Sequence, residues 1–329
     1  MVSDETRHSS LGSQPVGSGH TRLTFMQRLR ARWEQAETLL CVGLDGELER
    51  LPKSVRGGQT GLLTLERDCD AVQAEGALVT FNQAIVDATA DLVCAFKPNI
   101  AFYEVHGPAG LRALMRTITY IHTRYPEVPV LLDAKRGDIG STSAAYARAV
   151  FQTYGADAVT LQPYLGRDAL DPFLAQGDYG CFILCRTSNP GAGEFQDLRL
   201  RAAGESREEP LYLRLAQRVA AEWNVRGNCG LVVGATYPEE MRQVRARVGD
   251  LPILVPGIGS QGGDVAATVK AGLDAHGAGL LMSASRSVIY ASSGLDFATA
   301  ARREAQRLRT EIERLRSKSA RDNEERRRD

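Results

Sequence analysis

The sequence predicts an α/β fold: a (β/α)8 TIM barrel with an added N-terminal helix and an extended C-terminal helix. Short apolar runs alternate with helical patterns eight times along the chain. Each run is continuously apolar, as strands buried on both faces of a parallel sheet must be. The polar residues of chemical interest fall just past the C-terminal ends of those runs, on the rim where such barrels carry their sites. A doubly wound open sheet is the alternative arrangement of the same elements.

The elements follow in order. Residues 1–21 are polar and lack the apolar stretch of a secretory signal, so they read as a disordered leader. Residues 22–37 place Leu23, Met26, Leu29 and Trp33 at helical spacing. Strands are expected at 39–44, 92–96, 128–132, 156–161, 180–184, 229–233, 251–255 and 278–283. Helices are expected near 64–90, 107–123, 141–153, 167–175, 209–224, 238–246 and 262–271, giving a barrel domain over 22–300. From Leu295 the chain is rich in Ala, Arg, Glu and Leu and should extend the last helix. Residues 301–329 form its charged end, whose last stretch, Ser317–Asp329, has too few apolar residues to pack and should fray. Two long connections stand out. Gly191–Glu209 is either a lid that closes over substrate or a tolerated surface insertion, and Glu47–Gly61 carries no assignable chemistry.

Composition excludes several classes of function. With 40 basic and 40 acidic residues, no global field favours nucleic acid or an anionic membrane. No apolar run reaches the ~18–20 residues of a membrane-spanning helix. Cys41, Cys94, Cys181, Cys185 and Cys229 lie in apolar runs and Cys69 in a helical pattern, with no CxxC pair. That is the usage of reduced cysteines in a cytoplasmic protein. The five histidines are scattered and give no metal-ligand spacing, so no metal is expected.

Chemistry concentrates in Leu131–Thr142. An apolar strand delivers Asp133 and Lys135, which at i and i+2 share one face, and Asp138 follows past Gly137 on the loop. Two carboxylates bracketing one ammonium suit electrostatic work on a small reacting centre; a surface ion-pair cluster is the plainer alternative. The other strand ends add Asp45, Lys97, Gln162, Arg186, Thr187, Ser188 and Thr236 to the same rim. The seventh strand leads into Gly257–Gly263 and the eighth into Ser285 and Arg286. GIGSQGG satisfies the G-x-G-x-x-G pattern of dinucleotide folds, but it sits late in the chain. After strand 7 of a barrel it fits a phosphate monoester better: Gly262 and Gly263 allow close backbone approach, Gln261 offers an amide, and Arg286 can grip two oxygens.

Together DAKRGDI at 133–139 with Thr142, FKPN at 96–99, VGLD at 42–45, TSNPG at 187–191, VVGAT at 232–236 and PGIGSQGGD at 256–264 resemble the orotidine 5′-phosphate decarboxylase family, in its longer bacterial form. The resemblance covers roughly residues 25–300. It implies decarboxylation of orotidine 5′-phosphate to UMP, the last step of de novo pyrimidine synthesis, with no metal or organic cofactor and in a homodimer with shared active sites. Lys135 would then be the cation beside C6 and its proton donor, and Asp133 would sit against the departing carboxylate. Lys97 and Asp45 would hold the charge network and the ribose hydroxyls, and Ser188 would meet the pyrimidine. Gln261, Gly262, Gly263, Ser285 and Arg286 would form the phosphate end. Asp138 and Thr142 would reach into the neighbouring subunit's site. One rival is a Mg²⁺-dependent sugar-phosphate lyase of the same barrel type, but Lys97 stands where such enzymes carry an acid. The other is a nucleotide-binding protein without catalysis, against which the intact set Lys97, Asp133, Lys135 and Asp138 argues.

Overall fold

The computed structural model describes residues 23–56, 67–201, 208–258 and 264–328. The leader therefore lies outside the described residues. Each of the eight expected apolar runs holds at least part of a strand, with the second and third starting three residues later than expected: β1 Leu40–Gly43, β2 Ala95–Lys97, β3 Leu131–Arg136, β4 Ala158–Leu161, β5 Gly180–Arg186, β6 Cys229–Val233, β7 Ile253–Pro256 and β8 Leu280–Ala284. Neighbours in sequence pair in parallel around one sheet, and β1 pairs with β8. Isolated parallel bridges, Phe96 to Val130 and Asn99 to Asp133, link β2 to β3 and close the ring. Parallel strands with helical crossovers leave both faces covered, which is why β1, β4 and β6 are buried along their whole length.

The added N-terminal helix, Phe25–Glu34, opens on a capping box in which Thr24 and Gln27 exchange hydrogen bonds. It lies across the N-terminal end of the barrel. Phe25 meets the Phe182 ring edge-on at 5.7 Å, and Arg28 pairs with Asp157, just before β4. His122 and the amide of Val130 converge on that same buried Asp157 carboxylate. Burial pushes its pKa up, but His122 and Arg28 outweigh it and hold the carboxyl below the ordinary range.

Three expectations about helices need correction. The 167–175 pattern yields only a single turn, Asp171–Leu174, starting at a proline-bearing N-terminus and followed by a tight return to β5. The stretches 141–153 and 209–224 each start as α-helix and end as π-helix, at 149–153 and 219–223. The C-terminal helix runs over Phe297–Arg328, so the stretch expected to fray is helical backbone to Arg328. Arg, Glu, Lys and Ala favour helix regardless of packing, and upstream the pairs of Arg307 with Glu304 and Glu311 support the helix that this stretch continues. Its first turns are anchored by Phe297 stacked on Phe81 and by Arg302 on Asp91.

Of the two long connections, the first forms a short turn at Leu48–Arg50 and a helix at Lys53–Arg56 before its remainder leaves the described residues. The second holds a short helix, Gly193–Gln196, and a two-stranded ribbon pairing Arg199–Leu200 with Glu209–Pro210. Among the described residues, no helix is long and apolar enough to cross a membrane.

Candidate active site

The rim at the C-terminal ends of the strands carries a chain of four alternating charges. Lys97, the last residue of β2, is 5% exposed, with its Nζ 4.0 Å from Asp45 Oδ2 and 3.6 Å from Asp133 Oδ2. Asp133 Oδ1 in turn accepts from Lys135 Nζ at 2.7 Å, and the Lys135 side chain is half exposed at the mouth. Burial alone would lower the Lys97 pKa, but the carboxylates of Asp45 and Asp133 override it and hold the ammonium above the ordinary lysine range. Asp133 is the mirror case. Burial raises it, and Lys97, Lys135 and a hydrogen bond from Thr160 pull it below the ordinary aspartate range.

Asp133 and Lys135 are adjacent, as expected, but regular strand alternation is not the cause. β3 and β4 are in register at Leu132–Val159, and the next matched pair is Arg136–Leu161. Four steps on β3 thus match two on β4, a bulge that bends the strand outward. Lys135 sits in this bulge at φ 48°, one of only two non-glycine residues with positive φ among the described residues. Thr160 of β4 fills the gap. Its hydroxyl donates to Asp133 Oδ1 and accepts the amides of Ala134 and Lys135. Asn99 supports the other side, its amide N–H donating to Asp45 Oδ1 at 3.0 Å and its side chain to Asp133 Oδ2 at 3.4 Å. Neither Thr160 nor Asn99 was among the expected site residues. Thr160 had left a signal, a polar residue inside a continuous apolar run, and Asn99 lies within FKPN.

The remaining rim residues divide by use. Ser188 follows β5 and packs on Gly234, where a Cβ would come within 2.6 Å of the serine Cβ, so only glycine admits that approach. Gly43 does the same for Ser285, whose buried Oγ has no hydrogen-bond partner among the described residues. Arg286 begins the short helix Arg286–Ile289; its guanidinium is exposed and makes no hydrogen bond or ion pair among the described residues. Gln261, Gly262 and Gly263 lie outside the described residues. Among the described residues, Asp138 accepts from the amide of Ile139 alone, and Thr142 is exposed on the helix that starts at Gly140; neither is hydrogen-bonded or ion-paired to the Asp45–Lys97–Asp133–Lys135 chain.

Gln162 and Arg186 turn out to hold loops rather than face the charges. The Gln162 amide bonds the Gly137 carbonyl and the Tyr164 amide. Buried Arg186 pairs with Asp197, donates to the Thr187 carbonyl and lies over the Tyr237 ring at 4.3 Å. Gln196 adds bonds to the Thr187 amide and hydroxyl, so the described start of the second insertion is tied to the segment carrying Ser188. Among the described residues no group of three or more His, Cys, Asp and Glu side chains stands together as a metal site.

This arrangement agrees with the comparisons. The family model for "Orotidine 5'-phosphate decarboxylase / HUMPS family" matches residues 38–302. The chain belongs to that family. An orotidine 5′-phosphate decarboxylase of Azoarcus sp. (strain BH72) is 50% identical over 274 residues, 83% of this chain and 92% of its own. The one of Thermomicrobium roseum is 54% identical over 276 residues, 84% of this chain and 90% of its own. Among solved structures, the OMP decarboxylase of Leishmania donovani superposes with a TM-score of 0.71 at 35% identity, covering 89% of this chain and 99% of that one. The decarboxylase family's barrel is thus the fold of this chain, and its eight-strand closure carries the four charges.

Proposed function

We propose that this barrel decarboxylates orotidine 5′-phosphate to UMP in the cytoplasm, completing de novo pyrimidine nucleotide synthesis, and that the Asp45–Lys97–Asp133–Lys135 chain performs the chemistry. The observation that carries the reading is the placement of those alternating charges, two of them buried, in one line at the barrel mouth. When the bond from C6 to the carboxylate breaks, its electron pair stays on C6 and CO₂ leaves. The ring offers that pair no ordinary sink, so fixed charge must stabilise it, and the demand lies at the upper end of the ~8–23 kcal/mol that enzymes supply. Lys135, half exposed and anchored on Asp133, stands where it can face C6 and pass it a proton, which yields UMP. Asp133 faces the departing carboxylate, while Lys97 and Asp45 fix the array and reach the ribose hydroxyls.

Ser188 meets the pyrimidine, and Arg286, with Ser285, Gln261, Gly262 and Gly263, takes the phosphate. The exposed, unengaged guanidinium of Arg286 at a helix start supports that role. Asp138 and Thr142 complete the site of the other subunit in a two-fold dimer; their separation from the charge chain of their own subunit supports this. No cofactor takes part, since Lys97 fills the space between two carboxylates where a sugar-phosphate lyase would hold Mg²⁺.

The test follows loss of orotidine 5′-phosphate by ultraviolet absorbance, with and without EDTA. Full turnover in chelator is expected. Absence of turnover would overturn the activity, and a chelator-sensitive enzyme restored by Mg²⁺ would point to the sugar-phosphate lyases.

A further inference from the structure

The bulge in β3 poses a problem of hydrogen bonding. In a regular parallel ladder the amides of Ala134 and Lys135 would find partners in the neighbouring strands; the extra residues move them out of register. Lys135 is also held at φ 48°, a left-handed conformation that a lysine enters only when its surroundings impose it. One side chain answers both demands. Thr160, 1% exposed, accepts Ala134 N–H at 3.0 Å and Lys135 N–H at 2.9 Å, then donates its hydroxyl proton to Asp133 Oδ1 at 2.8 Å. A hydroxyl has two acceptor lone pairs and one proton, and all three are used.

We infer that Thr160 is the positioning residue of the reacting pair: its hydroxyl holds the left-handed bulge that aims Lys135 and fixes the Asp133 carboxylate beside it. The inference rests on the proposed roles of Lys135 and Asp133. The carboxylate is approached by Lys97 of β2, with Asp45 after β1 behind that ammonium, by Asn99 from the loop after β2, by Lys135 of its own strand, and by Thr160 of β4. Thr160 alone of these also grips the backbone of Lys135.

Thr160→Val keeps the shape and deletes the hydroxyl, whereas Thr160→Ser keeps the hydroxyl. The valine variant should lose turnover on the order of 10²-fold, the usual scale for a catalytic group displaced by about an ångström. Its affinity for UMP should stay within about threefold, because the aim of Lys135 matters chiefly to the transition state. The acid limb of its kcat–pH profile should move to higher pH, since Asp133 loses a donor to its charged form. Thr160→Ser should restore turnover to within about threefold of the parent.

Unchanged turnover in the valine variant, equal losses of turnover and UMP affinity, or a serine variant as impaired as the valine one would each overturn the inference. If the valine variant does not fold, Thr160→Cys carries the same test, with turnover and acid limb expected between serine and valine; parent-like values would overturn it. Amide hydrogen exchange at Ala134 and Lys135 reads the hold without turnover. Protection should be strong in the parent and serine proteins and lost in the valine variant, so failure of the decarboxylase reading stays distinct from failure of this one.

Discussion

Replacing Lys97 by methionine keeps the aliphatic stem and deletes the charge. The ammonium lies 3.6 Å from Asp133 and 4.0 Å from Asp45. At an effective dielectric constant near 20 each attraction is about 4–5 kcal/mol, offset by several kcal/mol for desolvating the ammonium. Removing the ammonium leaves Asp45 buried with only the Asn99 amide as donor among the described residues, and Asp133 with Lys135, Thr160 and the Asn99 side chain; this costs about 3–5 kcal/mol net. At about 2 °C per kcal/mol for a domain this large, Tm falls by roughly 6–10 °C. The pH dependence is the sharper test. In the parent, the Asp133 pKa is depressed. Its contribution to stability is therefore present above the unfolded value of about 3.9 and lost as pH falls through the lower folded value. Without Lys97, the burial that raises the Asp133 pKa loses its largest opponent and only Lys135 and Thr160 still oppose it, so the folded pKa of Asp133 rises and its ionisation contributes less stability. Protonation relieves the buried charge, so the stability deficit is greatest near neutral pH and shrinks as pH falls through the carboxylate range. Urea unfolding of both proteins at about pH 7.5 and about pH 3.5 measures this. A deficit under about 1 kcal/mol, or one that is the same at both values, would refute the picture of Lys97 as the buried compensator.

Lys135→Ala removes a half-exposed ammonium, so stability and UMP binding should barely change while turnover falls at least ~10³-fold; turnover within tenfold of the parent rules out Lys135 as proton donor. Arg286→Ala should cost about 2–5 kcal/mol of transition-state stabilisation on the phosphorylated substrate and little on orotidine, measured as kcat/KM; equal losses on both make Arg286 structural. Mixing inactive Lys135→Ala and Asp138→Ala proteins, with subunit exchange confirmed, should restore activity up to one working site per heterodimer. No recovery would place Asp138 in its own subunit's site.

Fold and rim were legible because both are written locally. Each strand of a parallel barrel is an apolar run, each crossover a helical pattern, and the C-terminal end of each run marks the mouth. Hence Asp45, Lys97, Asp133 and Lys135 stood out together, and the structure brings all four into one chain of contacts. Element ends were less legible. The frayed C-terminal tail was expected from missing apolar residues, yet helix propensity acts without a core and the backbone is helical to Arg328.

The sequence by itself determined the barrel, the charge types at its mouth and the family. Tertiary structure decided how those charges are held. Thr160 lies 27 positions from Asp133, and Asn99 34 positions, so each contact depends on the stagger between neighbouring strands, which no local pattern encodes. The same holds for the bulge that turns Lys135 to φ 48°. Side-chain periodicity states which face a residue would take in a regular strand, but a break in register exists only relative to the strand beside it. Arg186 shows the converse: sequence placed it on the rim, and only the packed structure gave it Asp197 of the insertion and Tyr237 past β6 as partners and directed it to holding a loop.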